Sequence, residues 1–558
     1  MRREMTEERE KRRLRLLLFA LVFALIFARF CAYGFKYWYQ LDDYIQYHNY
    51  TAAGGPVWDV VRKLGLLAAR PLAGLADVYF WQRFFPVMLL GAALVAVMYA
   101  ASACLFREVF FRRFGTGYFF LAVYALLPLG MEGTYWMSAS TRIVTGLFFA
   151  SLALWAFDVW LRDGRRGFAA AYCVCQLLSY GFYEQLIPFS AASVILLAAL
   201  DIKKYGRRTG LALWSFAAAG IYFAFVGVFH ESALYGAKTG FILPTSDYYF
   251  STFLPEVLSQ LKSAFLGGGF YTLTRGFVRG AGLIFSDGRY IYAVVYILLC
   301  AAFFLLAKGE RASEAKRPVA ALVIGILLAL APTAPFFAAE TTWFSLRGTV
   351  CSFCGIALVA DTVLRLIFGN LKSGMAVIAV ISAAFSMWCG VCAVSEMHDY
   401  RATCEKDMQV CTAISETLTA DGNTAAELKI GILNLSPSYL PEQNCFYHEH
   451  IHGVTESDWA LTGALRYYAE NQHVPSVTPV PAGRMYARWN REAMLLSGFD
   501  ALYLYDGESS LSRVFASEQS DGRSIITDGK SVLAFAWEED GNGYLEIISD
   551  TDAISAPS

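Results

Sequence analysis

Long apolar runs separated by short polar segments fill the chain from its N-terminus to about residue 395. Hydrocarbon about 30 Å thick requires about 20 apolar residues in each spanning helix. We therefore predict a polytopic α-helical membrane protein with about eleven spans, at residues 16–34, 84–106, 116–131, 143–161, 168–183, 186–200, 211–230, 290–307, 318–338, 348–367 and 375–395. The third, fifth and sixth runs are short, which favours tilted or broken helices near residue 184.

Two connections between these spans are long, at residues 34–83 and 231–289. In the first, residues 57–75 carry charges among apolar positions, which is typical of an amphipathic helix at the membrane surface. In the second, two half-apolar stretches flank Gly267-Gly268-Gly269. This pattern predicts a pair of interfacial or re-entrant helices, or else a membrane hairpin that raises the span count to thirteen with the same topology.

Lysine and arginine are concentrated in every second connection, and this alternation predicts the orientation of the protein in the membrane. Short cytoplasmic loops are enriched in these residues. Every second loop is basic, whereas the short loops between them contain only Arg142 and Arg347. We therefore expect a cytoplasmic N-terminus whose first helix is a retained start-transfer segment, a multi-pass protein of the plasma membrane, and a C-terminal region outside the cytoplasm.

Composition agrees with a membrane protein, since 56% of residues are hydrophobic, 17% are charged and the mean hydropathy is +0.43. The net charge of −1 argues against nucleic acid as a partner. Most of the 12 cysteines lie in apolar runs, where they behave as small buried side chains, and no disulfide framework is indicated.

Residues 396–558 are polar and mixed, which separates them from the transmembrane domain at 1–395. Apolar segments at 428–433 and 501–505 predict strands, 458–470 and 489–496 predict helices, and 531–548 predicts a hairpin. We expect a small extracytoplasmic α/β domain.

Polar residues collect at the predicted exterior ends of the spans. Ionisable groups at a membrane edge are costly unless they face a wet cavity, so one outward-facing polar pocket is a simple explanation. The alternative is that these loops are polar only because they meet water. The residues are Asp42, Asp43, Glu132, Arg142, Tyr183, Glu184, Gln185, His230, Glu231, Glu340 and Arg347.

Several of these residues have the chemistry of a reaction site. The adjacent carboxylates of Asp42 and Asp43 repel each other, so a cation or a proton stabilises one of them, although a helix cap is an alternative role. Glu184 lies in an apolar region and requires either a partner or a raised pKa. The guanidinium groups of Arg142 and Arg347 match phosphate oxygens, or they pair with Glu132 or Glu340 as ordinary interface residues.

His448, His450 and His452 alternate, so a strand would place all three on one face, as a zinc site requires. Because no second ligand group completes a known motif, we favour a solvated surface or a docking loop.

The acidic pair Asp42–Asp43 after the first span, the long first exterior loop with Ala69-Arg70-Pro71-Leu72, and the folded tail resemble the GT-C superfamily of membrane glycosyltransferases. The resemblance covers about residues 1–394 and is strongest to bacterial GtrII-like glucosyltransferases. It implies a polyprenyl-phosphate-sugar donor, an acceptor on the exterior face and, usually, inversion at the anomeric carbon.

This chemistry assigns roles to the candidate residues. Asp42 or Asp43 is expected to act as the base, with Asp43 the candidate ligand of a divalent cation. Arg142 and Arg347 are expected to stabilise the departing phosphate. The remaining candidates for binding the donor, or the glycan, lipid or protein acceptor, are Arg70, Glu132, Tyr183, Glu184, Gln185 and Glu340.

Three other functions fit the same pattern. A lipid-linked-sugar flippase or transporter predicts polar residues at mid-membrane and internal symmetry, neither of which is evident in the sequence. A polysaccharide polymerase uses similar substrates and is expected to depend more on Arg275 and Arg279. A non-catalytic assembly subunit would use its tail to bind partners.

Overall fold

The computed structural model divides the chain into two compact units. The first comprises Met1–Tyr37 and Gly55–His398, and the second comprises Trp38–Gly54 and Asp399–Ser558. The structure describes residues 2–49, 57–63, 65–229, 240, 242–309, 316–340, 343–371, 373–435, 453–485, 494–520, 522–539, 542–548 and 554–555. His230, Glu231, His448, His450, His452 and most of the helix predicted at 489–496 lie outside these residues.

The first unit is helical. Its α-helices within the described residues are Arg2–Phe30, Val57–Lys63, Pro71–Tyr79, Met88–Phe114, Tyr118–Leu126, Glu132–Tyr135, Met137–Asp163, Arg166–Phe182, Leu186–Tyr205, Trp214–Val228, Leu254–Lys262, Gly276–Ser286, Tyr290–Lys308, Pro318–Leu330, Phe353–Phe368 and the first half of Gly374–Ala420. Short 3-10 helices occupy Trp81–Val87, Gly206–Leu213, Ala331–Phe337 and Leu346–Ser352. The predicted membrane-surface loop at 57–75 thus contains two separate helices.

Within the described residues, seven helical runs are long and apolar enough to cross a membrane. They are Trp81–Phe114, Met137–Asp163, Leu186–Val228, Tyr290–Lys308, Pro318–Phe337, Leu346–Phe368 and Gly374–Ala420. A helical protein with membrane-like spans, followed by a separate C-terminal domain, is therefore the architecture of this chain.

The helix at Tyr118–Leu126 differs most from its predicted span at 116–131. Nine residues reach only about 14 Å, because an α-helix rises about 1.5 Å per residue. It ends two residues before Pro128, where helical geometry is disfavoured. Its last carbonyls are satisfied from another helix, since the buried Arg29 donates to the oxygens of Ala125 and Leu126, both at 2.8 Å. The positive guanidinium also suits the negative end of the helix dipole.

A buried ion network joins three helices at one end of the first unit. Asp158, which is fully buried, accepts from Arg112 at 2.5 Å and also pairs with Arg113. Arg113 in turn lies 3.0 Å from Asp201. Because the helices Met88–Phe114, Met137–Asp163 and Leu186–Tyr205 supply these groups, the network fixes their ends against one another.

The second unit is rich in β-structure. Its strands are β1 Lys429–Leu433, β2 Ser476–Val480, β3 Gly483–Met485, β4 Ala501–Tyr505, β5 Leu511–Glu518, β6 Ser524–Thr527, β7 Ser531–Glu539, β8 Asn542–Ile547 and β9 Ile554–Ser555. They form one sheet in the order β2-β1-β4-β5-β6-β7-β8-β3, with β9 paired to β7. β1 runs parallel to β2 and β4, and the other pairs are antiparallel. The predicted strands at 428–433 and 501–505 and the hairpin at 531–548 are confirmed.

Helices of the second unit are few within the described residues. Asp458–Tyr468 is the longest that lies wholly in this unit, and it confirms the helix predicted at 458–470. A one-turn helix at Asp42–Tyr44 comes from the N-terminal part of the chain, together with the π-helical turn Ile45–Asn49. Residues 38–54, which belong to the first long loop, therefore fold with the C-terminal region.

Candidate functional site

An ion pair joins Arg70 and Glu184, two of the predicted site residues in the first unit. Arg70 precedes the helix Pro71–Tyr79, and Glu184 lies in the link between two longer helices. The Arg70 Nε donates to Glu184 Oε2 at 2.6 Å and Nη2 donates to Oε1, which is the bidentate geometry of strong arginine–carboxylate pairs. The guanidinium carbon also lies 4.4 Å from the ring centroid of Tyr183.

This pairing sets the charge of Glu184. Burial by itself raises the pKa of the carboxyl group, but the charge and hydrogen bonds of Arg70 outweigh burial, so the pKa lies below its ordinary value. Glu184 thus has the partner that its apolar surroundings require. Its side chain remains 37% exposed and that of Arg70 24% exposed, so the pair is reachable from solvent.

A second ion pair adjoins the first. Arg142 Nη2 lies 2.9 Å from Asp77 Oδ2, and Asp77 is only 1% exposed. The Arg142 charge acts on both Arg70 and Glu184. The structure therefore gives Arg142 a carboxylate partner, Asp77, that was not among the two expected for it. Sequence reasoning missed Asp77, although it is the only acidic residue of the helix Pro71–Tyr79.

A third ion pair joins Arg347 to the fully buried Glu132, with Arg347 Nη1 at 3.2 Å from Glu132 Oε1. Glu132 is one of the two partners expected for Arg347, and it is the partner observed. The guanidinium carbon lies 5.5 Å from the ring centroid of Trp136, a further residue that the candidate set did not include. Arg347 also acts electrostatically on Tyr183, which connects this pair with the first.

Gln185 is the fourth feature of this region. Its amide is fully buried, and neither Oε1 nor Nε2 has a hydrogen-bond partner among the described residues. The absence of a side chain at Gly348 makes room for it, since a Cβ atom there would lie 3.2 Å from Gln185 Nε2. A buried polar group left without a partner costs about 1–3 kcal/mol, so a ligand that bonds this amide would recover that free energy.

We call this set the arginine cluster. Three arginines, each paired with a carboxylate, lie with a tyrosine and an unsatisfied amide near the ends of apolar helices. Arginine retains further donors after pairing with a carboxylate, so such a cluster can bind phosphate oxygens. Its members are Arg70, Asp77, Glu132, Arg142, Tyr183, Glu184, Gln185 and Arg347.

Asp42 and Asp43 belong to the second unit. Asp43 is fully buried, and its Oδ2 accepts the backbone N–H of Gln40 at 3.0 Å while its own N–H donates to the Gln40 carbonyl at 2.8 Å. This reciprocal pair stabilises the turn and resembles the capping role considered as an alternative. Asp42 is partly exposed, so it is the more accessible carboxylate of the two.

Glu340 does not join the arginine cluster through any hydrogen bond or ion pair among the described residues. Its side chain is exposed, and its backbone N–H donates to the Gly240 carbonyl at 2.9 Å. Within the part of the chain that the structure describes, no three histidine, cysteine, aspartate or glutamate side chains form a group able to hold a metal ion. The divalent cation expected at Asp43 stays a prediction.

Comparison with known proteins adds no relative. No protein-family model matches this chain, and no curated protein matches it significantly.

Proposed function

We propose that this protein is a membrane glycosyltransferase that moves a sugar from a polyprenyl-phosphate donor to an acceptor on the exterior face of the plasma membrane. The observation that carries the proposal is the arginine cluster. Three arginines and an unsatisfied buried amide meet near helix ends, where the phosphate and sugar of a lipid-linked donor would lie while its polyprenyl chain stays among apolar helices. The resemblance of residues 1–394 to GT-C enzymes supports the same conclusion.

In this proposal the cluster binds the donor. Arg70, Arg142 and Arg347 contact the phosphate oxygens, and their charge stabilises the polyprenyl phosphate as it departs. Tyr183 and Gln185 position the sugar, since an aromatic face packs on a pyranose ring and an amide bonds its hydroxyls. The carboxylates of Asp77, Glu132 and Glu184 hold the arginines in place before the donor binds.

The reaction forms one bond and breaks one. The acceptor hydroxyl attacks the anomeric carbon and gives its proton to a carboxylate, while the carbon–oxygen bond to phosphate breaks and its electron pair stays on the phosphate. We assign the base to Asp42 because its side chain is partly exposed, whereas that of Asp43 is fully buried. Asp43 then positions Asp42 through the turn.

The test is transfer of radiolabelled sugar from purified polyprenyl-phosphate donor to envelope acceptor by the protein in membranes. Arg70→Lys keeps the charge but loses the bidentate fork, so we expect transfer to fall about 100-fold. Asp42→Asn removes the base and should lower transfer by about 100-fold or more. Arg165→Lys is the matched control, because the Arg165 side chain is 73% exposed outside the cluster.

Two outcomes contradict the proposal. Wild-type transfer rates in both Arg70→Lys and Asp42→Asn would remove the assigned roles. Movement of the intact lipid-linked sugar across the bilayer, without any new glycosidic bond, would instead identify a flippase.

A further inference from the structure

A concave pocket of about 450 Å³ lies wholly within the second unit, and neither the arginine cluster nor the acidic pair accounts for it. Its volume falls within the range of about 300–1,000 Å³ that is usual for small-ligand sites. The residues that line it are His48, Arg466, Tyr467, Tyr468, Glu470 and Gln472.

The end of the helix Asp458–Tyr468 builds one wall. The chain reverses after the helix at Glu470, which has a left-handed φ of 49°. Two backbone bonds hold this reversal, from Glu470 N–H to the Tyr467 carbonyl and from Asn471 N–H to the Arg466 carbonyl, both at 3.2 Å. The turn therefore gathers the polar side chains of residues 466–472 around one concavity.

The segment that carries the acidic pair builds the opposite wall. The Tyr44 ring lies 5.8 Å from the rings of both Tyr467 and Tyr468, and its hydroxyl lies 2.7 Å from that of Tyr468. The ring of His48 meets Tyr467 edge-on at 5.7 Å. Since Asp43 directly precedes Tyr44, the acidic pair and the pocket wall share one short segment of chain.

The lining has the chemistry of a sugar site. Tyrosine rings present flat apolar faces beside hydroxyl groups, and the other side chains offer amide, imidazole, guanidinium and carboxylate groups. One cation and one anion balance each other in Arg466 and Glu470, which favours a neutral ligand with many hydroxyls. Arg466 Nε is buried and has no hydrogen-bond partner among the described residues.

We propose that this pocket binds a neutral oligosaccharide and holds it as the acceptor next to Asp42. Only the acceptor role rests on the proposed function. Binding itself requires neither the donor nor the transfer reaction, so the two proposals can fail separately.

Saturation-transfer NMR on the full-length protein in detergent tests the proposal. The probes are neutral and acidic oligosaccharide pools, released by mild acid from the envelope of the source cells. We expect saturation transfer to the neutral pool, without added donor, and about fivefold weaker binding by Tyr467→Ala, since a lost aromatic contact costs about 1 kcal/mol. Phe515→Ala is the control, because Phe515 is an aromatic residue of the same unit that is 55% exposed and does not line the pocket.

Gln472→Ala provides a second variant in case Tyr467→Ala unfolds the unit, since Gln472 is exposed and its replacement removes a polar contact with His48 but no aromatic ring. It should weaken binding several-fold. The proposal is overturned if neither pool binds, if only the acidic pool binds, or if Gln472→Ala and folded Tyr467→Ala bind like Phe515→Ala. Binding that persists in a protein without transfer activity would overturn the proposed function and leave the sugar site standing.

Discussion

At the scale of single residues, the informative feature is how each charge in the arginine cluster is satisfied while one neutral amide is not. Glu184, Asp77 and Glu132 each have an arginine partner, whereas Gln185 has no hydrogen-bond partner among the described residues. The sequence predicted that Glu184 needs a partner because a lone carboxylate in an apolar region is costly. It did not identify Arg70 as that partner, because the two residues are 114 positions apart.

Gln185 gives a prediction that separates function from stability. Replacing it by methionine keeps the shape and removes the unsatisfied amide, so we expect the free energy of unfolding to stay equal or rise by about 1 kcal/mol while sugar transfer falls. Thermal unfolding in detergent and the transfer assay measure the two effects. Gln176→Met is the matched control: Gln176 Nε2 donates to Ser215 Oγ at 2.8 Å, so its loss should lower stability instead. A destabilised Gln185→Met with normal transfer would show that the amide is structural.

The Glu184 pair predicts a pH dependence. Because the folded pKa lies below the ordinary value of 4.5, the pair contributes its full stability above pH 4.5 and loses it as the pH falls through the lowered folded value. Solvent reaches both side chains, so we expect a contribution of only about 1 kcal/mol. The difference in melting temperature between wild type and Glu184→Gln should therefore be greatest near neutral pH and shrink below pH 4.5. A difference that grows in acid would contradict this sign.

At the scale of elements, small residues decide how closely helices approach. Gly325 and Gly355 lie where the helices Pro318–Leu330 and Phe353–Phe368 cross, and a Cβ atom on Gly355 would overlap the backbone of Gly325 and Ala329. Packing of this kind is typical of membrane helices. Their association is driven by close van der Waals contact between backbones and not by the hydrophobic effect. The sequence shows both glycines, but only the crossing explains why each is needed.

Gly355→Ala should therefore lower the free energy of unfolding by about 1–3 kcal/mol, because two backbones must separate to admit the methyl group. Gly220→Ala is the control within another apolar helix: nothing lies within 4 Å of its Cβ position, so the substitution should be neutral or stabilise by about 0.5–1 kcal/mol. Melting temperatures in one detergent compare the two variants. Equal values would argue against close packing at this crossing.

At the scale of the whole molecule, the division into two units does not follow the order of the chain. Residues 38–54 interrupt the first unit in sequence and fold with the C-terminal residues. Tyr44 and Tyr47 are both buried in that second unit. The sequence assigned this segment to the first exterior loop because it follows an apolar run and is polar. Hydropathy shows that the segment lies in a loop between apolar runs. It does not show which residues, distant in sequence, the segment packs against.

Orientation across the membrane is the prediction that belongs to this scale. In a cysteine-free background we expect an impermeant maleimide to label Ser509→Cys on intact cells, and to label Arg207→Cys only after permeabilisation. Both positions are exposed, and the lysine and arginine pattern places the second on the cytoplasmic side. Labelling of Arg207→Cys in intact cells, with Ser509→Cys protected, would invert the topology and remove the exterior acceptor from the proposed function.

The sequence by itself determined the helical, membrane-like character of the first unit and the positions of β1, β4 and the helix Asp458–Tyr468, because apolar periodicity and span length are local properties of the chain. It also marked Glu184 as a residue that needs a partner, and Arg142 and Arg347 as residues that bind phosphate or pair with a carboxylate. The tertiary structure alone decided which partners they have, that Tyr118–Leu126 is too short to span, and that Asp42 and Asp43 fold with the tail. These features depend on contacts between residues far apart in the chain, which form only when the helices pack.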